Sequence, residues 1–150
     1  MSRLHGLFAR ALAFAAVLVA PSAYATYHTY QIQEIFSNGD GTIQYVVLRE
    51  ALGMNGQNQL VGHALTATQG MTMQNYPFPN DLPGGECGYY SCNPSPTANT
   101  RVLIATQGFA ALNLVTPDYI IPNGFIPMAG TINYAGVDQV SYAALPTDGV

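Results

Sequence analysis

The sequence has no lysine, and two of its arginines, Arg3 and Arg10, fall within the first ten residues. Beyond residue 25 only Arg49 and Arg101 stand against all eight acids, a formal charge of 2 − 8 = −6. So few cations exclude the phosphate-neutralising contacts on which nucleic-acid binding rests. They offer as little to an anionic lipid headgroup. Charge of either sign is scarce, at 8% of residues, but the chain does not read as disordered. Disorder goes with a shortage of apolar and aromatic residues, and here 49% of the residues are hydrophobic. Cysteine is almost absent. Cys87 and Cys92 have no histidine near them in the sequence, too few ligands for a structural zinc site. The four residues between them, in CGYYSC, also depart from the C-x-x-C redox spacing. After residue 26 there is no second long apolar run and no sustained helical period.

What is present begins with an export signal. Arg3 and Arg10 give a positive start, Ala11 to Ala20 is an unbroken apolar run, Pro21 ends it, and Ala23-Tyr24-Ala25 is a small-x-small cleavage site. The apolar run is shorter than the roughly 20 residues needed to cross a bilayer, so residues 1–25 read as a cleavable signal peptide rather than an anchor. A lipid anchor would need a cysteine just after the cleavage site, and the first cysteine is Cys87. The mature protein is therefore expected to be secreted or periplasmic, with no membrane span. Residues 26–150 are long enough for one domain with a real core. An oxidising compartment makes a Cys87–Cys92 disulfide the expectation. So short a loop removes little unfolded-state entropy, about 2 kcal/mol on the chain model, so the bridge would pin a local loop.

The mature segment is a series of short β patterns between turn signals. Tyr30 to Phe36 alternates and places Ile32, Glu34 and Phe36 on one face. Asn38-Gly39-Asp40-Gly41 predicts a hairpin turn, and Thr42 to Arg49 a second strand. Further strands are expected over Leu60–Thr68, Met71–Phe78, Arg101–Thr106, Tyr119–Ile121, Thr131–Tyr134 and Gln139–Ala143. Pro77, Pro79 and Pro83 limit the fourth to an edge or a short piece. Asp81 to Thr100 reads as one long loop, and Phe109–Leu112 as a single helical turn. Ala-Thr-Gln-Gly occurs at 67–70 and at 105–108, most simply as two strands ending in similar turns. About eight short strands punctuated by turns predict an all-β fold, an Ig-like antiparallel sandwich preceded by the signal-peptide helix. The chain stops at Thr147-Asp148-Gly149-Val150, which reads as the start of a turn, so a C-terminally truncated chain is expected.

Several motifs, in order, resemble the lamin-tail domain of bacterial secreted proteins. Ile32-Gln33-Glu34-Ile35-Phe36 is similar to that family's opening I-x-E-I strand, and Tyr45-Val46-Val47-Leu48 to its second. Leu60-Val61-Gly62-His63-Ala64-Leu65 is similar to its L-x-G-x-x-L strand, and Tyr76-Pro77-Phe78-Pro79 to its aromatic-proline segment. Arg101–Ala105 sits where the family has a buried strand, and Val137-Asp138-Gln139-Val140-Ser141-Tyr142 resembles its closing V-D-x-V-x-Y strand. The resemblance covers roughly residues 28–145. It implies an Ig-like sandwich used for attachment or interaction, with no catalytic role. Two features depart from the pattern: Val47 stands about where the family carries a Glu, and the cysteine-bearing loop is an addition.

No catalytic constellation assembles in the sequence. A serine nucleophile needs a histidine base in reach, and the mature chain has only His28 and His63 and no G-x-S-x-G elbow. Glu34 and Glu50 could be imagined as a glycosidase pair, but strand glutamates are more often satisfied by backbone donors in a turn. Asp40 alone does not make a calcium loop. Two binding features remain. Tyr89 and Tyr90, in the Cys87–Cys92 loop, could offer contact area to a protein or carbohydrate, or pack down over the end of the sandwich. If cleavage follows Ala25, the mature chain opens Thr26-Tyr27-His28. Its α-amine, two amide nitrogens and an imidazole at position three can wrap Cu(II) in a square plane. Titration of the mature protein with copper tests this: His28→Ala is expected to weaken binding, and unchanged tight binding would remove the site. No other cofactor is implied. The sequence thus reads as an exported, non-catalytic binding or structural module at the cell surface or in a larger secreted protein. A periplasmic metal-binding protein and an enzyme with an unrecognised site are the alternatives.

Overall fold

The computed structural model describes residues 27–87, 92–93 and 95–146, with the backbone alone at 86–87 and 92–93. The signal peptide read at residues 1–25, Thr26, Tyr89, Tyr90 and the closing Thr147–Val150 lie outside the described residues. In chain order the elements are β1 (Tyr30–Ser37), β2 (Gln44–Glu50), β3 (Ala64–Gln69), β4 (Thr72–Pro77), β5 (Glu86–Cys87), β6 (Cys92–Asn93), β7 (Arg101–Thr106), α1 (Gln107–Ala111), β8 (Tyr119–Ile121), β9 (Gly130–Tyr134) and β10 (Asp138–Tyr142). Eight of the strands build two four-stranded sheets, ordered β1-β2-β7-β8 and β10-β9-β3-β4, and β5 and β6 form a separate hairpin. The chain is an all-β sandwich, as its alternating patterns predict.

Turn chemistry sets the first hairpin. Asn38 Oδ1 accepts from the Ile43 N–H at 3.0 Å, and Asp40 Oδ1 accepts from the Thr42 N–H and hydroxyl at 2.9 and 2.6 Å. Short polar side chains replace backbone partners in this way at tight turns. The second hairpin, β3–β4, turns through Gly70 and Met71, and Gly70 has φ +58°. That left-handed conformation costs glycine nothing and suits the first central position of a type II′ turn.

Period-two alternation then sorts the side chains. Along β2, Gln44, Val46, Leu48 and Glu50 are buried, while Tyr45, Val47 and Arg49 face away from the core. Val102 and Ile104 on β7, Leu65 and Ala67 on β3, and Ile132 and Tyr134 on β9 complete the inner faces. Loop residues Leu60, Phe78, Phe125 and Ile126 close the ends of the core. The rings meet mostly edge to face, with Tyr30–Tyr134 centroids 6.3 Å apart and Phe78–Tyr134 6.1 Å, an arrangement aromatic quadrupoles favour. The phenol tips escape the core by bonding loop backbone. Tyr119 donates to Asn80 O at 2.8 Å, Tyr134 to Tyr27 O at 3.0 Å and Tyr142 to Pro127 O at 2.9 Å. Burial pushes all three phenols up, Tyr142 to about 12.

Four departures from the sequence reading have local causes. A bulge between Ile32 and Glu34 shifts the β1 register. Ile32 therefore pairs with the inward Leu48, while Glu34 and Phe36 pair with the outward Val47 and Tyr45. Ile32 does not share a face with Glu34 and Phe36. The third strand starts at Ala64 rather than Leu60, because Gly62 at φ +88° and a His63 N–H to Leu60 O bond make a turn there. The sandwich is not wholly antiparallel: β7 and β8 run parallel, with α1 in the crossover. The long loop from Asp81 to Thr100 contains the β5–β6 pairing.

Candidate functional site

The structure separates the two glutamates imagined as a catalytic pair. Glu50 points into the core side of β2 and is fully buried, whereas exposed Glu34 lies on the outer face and accepts from the Tyr45 hydroxyl at 2.5 Å. The Glu50 carboxylate accepts from the Leu52 N–H at 3.0 Å and the Asn99 N–H at 2.9 Å, tying together two loops at one end of the sandwich. Asp40 is engaged within its own turn. Among the described residues, no three His, Cys, Asp or Glu side chains gather as a metal-holding group.

At the start of the described chain, the His28 and Tyr27 rings have centroids 3.9 Å apart. The Tyr27 ring also lies against His63, at 3.5 Å. The two histidines among the described residues are thus brought to one tyrosine, although 35 positions separate them in the sequence. Strands β5 and β6 set Cys87 directly opposite Cys92. Directly opposed residues on antiparallel strands have Cα atoms about 4.5–5.5 Å apart, a spacing a disulfide spans.

Sequence reasoning missed the outer face of the β1-β2-β7-β8 sheet. The strand register lines up Phe36, Tyr45, Ala105 and Ile120 in one row across all four strands. The Phe36 and Tyr45 rings stack at 5.1 Å and 15°, and Phe109 from α1 meets Tyr45 edge-on at 5.5 Å. Burial first, then the Glu34 carboxylate, pushes the Tyr45 phenol up to about 12, so it remains a neutral donor on this face.

Helix α1 is placed here by a close approach. A side chain at Gly108 would put its Cβ 2.3 Å from Thr42 O, so only glycine lets the helix rest on the β1–β2 turn. Thr106 caps the helix by accepting from the Phe109 N–H, and its hydroxyl donates to Thr42 O at 2.7 Å. Beyond α1, a shallow groove is lined by Ala110, Leu114, Val115, Pro117 and Ile120 with Asn113 and Thr116. Its aliphatic members are open to solvent: Leu114 is 80% exposed, Val115 52% and Ile120 49%. From Val102 to Pro117 there is no charged residue, and that uncharged, apolar-rich run was the available signal. Asp118, at its end, spends one carboxylate oxygen on the Leu103 N–H at 2.8 Å.

Comparisons with models of known protein families, with curated proteins and with solved structures give no match to this chain.

Proposed function

We propose that this protein is an exported, non-catalytic binding module that docks a protein partner through the outer face of the β1-β2-β7-β8 sheet and the α1–β8 loop. The observation that carries the reading is the groove in which the solvent-open Leu114, Val115 and Ile120 gather, with Ile120 in the same cross-strand row as the stacked Phe36 and Tyr45. Apolar residues scattered singly need no explanation, but a patch gathered in a groove marks an interaction surface. The exposed members are aliphatic, and two of the rings are stacked on each other. Such a surface suits the apolar side chains of a protein more than the flat faces of a sugar. The order of motifs along the chain supports a lamin-tail-like module acting at the cell surface or within a larger secreted protein.

The test is made with the mature protein and the cells that produce it. Leu114→Asp combined with Val115→Asp places two carboxylates in the groove, without touching the core. Loss of a buried aliphatic anchor and burial of an unpaired charge typically cost a few kcal/mol. Attachment to the cell envelope is therefore expected to weaken by about tenfold or more, with the melting temperature unchanged. Undiminished attachment of a folded double variant would exclude this face.

A further inference from the structure

An open sandwich has four edge strands, and each exposes backbone groups that could pair with another chain. Three of them carry a protective device here. On β1 the Ile32 N–H is taken by Asp138 Oδ2 at 2.7 Å, next to the bulge. That carboxylate stands on β10, the edge strand of the other sheet at the same side, so one acid guards both strands. The β8 edge is three residues long and lies between Pro117 and Pro122.

The β4 edge has such a device only at its end, in Pro77, and none from Thr72 to Tyr76. It runs for six residues, Thr72 to Pro77, without a bulge in its register. The two-residue turn fixes which of its groups point outward. Gln69 and Thr72 flank the turn as a hydrogen-bonded pair, so bonding alternates along the ladder. Thr72, Gln74 and Tyr76 bond toward β3, which leaves the N–H and C=O of Met73 and Asn75 facing out. No hydrogen bond among the described residues occupies them. Pro77 falls on the outward set, where its missing N–H costs the ladder nothing. Met71, Met73 and Asn75 are exposed, Met73 by 64%.

Charge leaves this edge open to a second copy. From Ala51 to Asn80 the chain contains no Asp, Glu, Lys or Arg. Two copies, each with the mature charge of −6, repel through most orientations, but an approach along β4 brings no carboxylate of that segment against its twin. We infer that β4 is a homodimerisation edge. Two copies pair β4 to β4 in antiparallel fashion about a two-fold axis, which joins the β10-β9-β3-β4 sheets into one continuous eight-stranded sheet. Met73 of each copy exchanges N–H···O bonds with Asn75 of the other, and Gln74 stands opposite its own mate. Such an isologous contact closes on itself and stops at two copies. It uses a different element from the docking face and does not depend on that reading.

Sedimentation of the mature protein over a range of concentrations tests this. The wild type is expected to form a dimer. Asn75→Pro removes one outward N–H while leaving the β3 ladder intact, and Met73→Lys sets cations beside the symmetry axis. Each is expected to raise the dimer dissociation constant by about tenfold or more with circular dichroism unchanged. Should Asn75→Pro fail to fold, Met73→Lys carries the test alone. Four results would overturn the inference: a monomer at all concentrations, a dimer indifferent to both changes, open-ended assembly, or a monomer that takes up only extended peptides. A dimer lost in Leu114→Asp/Val115→Asp and kept in Met73→Lys would place self-association on the apolar face instead.

Discussion

Replacing Gln44 with leucine is expected to destabilise the fold by about 4 kcal/mol, although the two side chains are close in volume. Gln44 is buried at the start of β2, and its amide reads the backbone of Ile126 in both directions. The Ile126 N–H donates to Oε1 at 3.0 Å and the Ile126 carbonyl accepts from Nε2 at 2.6 Å. Nε2 also donates to Ser37 Oγ at 2.9 Å. The side chain thus supplies the hydrogen bonds a neighbouring strand would give, at a place where the chain between β8 and β9 passes through the core. Leucine would leave the buried N–H and C=O of Ile126 without partners. Each such loss costs about 1–3 kcal/mol. Urea denaturation should show a lower midpoint with an unchanged slope. A loss below about 1 kcal/mol would mean that water or a shifted loop replaces the amide.

The second large effect concerns Glu50. Burial alone would raise its carboxyl, but the backbone N–H groups of Asn99, Leu52 and Met54, with Thr29 beside them, outweigh it and hold the group at about 2, against an ordinary 4.5. The folded state therefore favours the charged form. Its contribution is complete above about pH 4.5 and fades as the pH falls toward 2. No part of Glu50 touches solvent, yet Ala51, Leu52 and Asn99 around it are exposed, so solvent screens part of the charge. Glu50→Gln keeps the shape but turns an amide NH2 against a backbone donor. Losing a charged acceptor from this cluster is expected to cost about 2–3 kcal/mol at pH 7. Thermal melts of the two proteins from pH 7 to pH 2 should converge at the acid end. Parallel curves at all pH values would assign the loss to packing and not to charge.

Much of the fold was legible because short strands with turn residues between them leave few alternatives. Arg101–Thr106 and Tyr119–Ile121 begin and end where their β-branched and aromatic runs do. The prolines after Tyr76 mark β4 as an edge, and β4 is an edge. The β1 bulge was hidden because period-two reading assumes an unbroken ladder, and no local residue in QIQEIF announces the extra one. Leu60 misled in another way. It is buried, but as a plug from a loop, and an apolar residue reads the same in either role. The parallel β7–β8 pair could not be read because it depends on where α1 lands, which Gly108 settles only through its approach to Thr42. The candidate site was less visible still. Attention goes to motifs within one short segment, such as Thr26-Tyr27-His28 and Tyr89-Tyr90, whereas the candidate face is assembled from separate strands. Phe36, Tyr45 and Ile120 become a row only through register between strands that are distant in the sequence.

The interleaved strand order also governs when the fold can form. The central strand β7 must reach back more than fifty residues to β2, and β9 more than sixty to β3. Pairings of such long range are slow, because the loops close before the contacts repay them. A chain synthesised N-terminus first can assemble the β1–β2 and β3–β4 hairpins early. Neither sheet can gain its inner partner until residues 101–134 have followed. Until then the unpaired edge of β3 and the apolar face of β2 stay open. The last third of the chain therefore acts as the timing element of folding, and the sandwich closes only once that segment is in place.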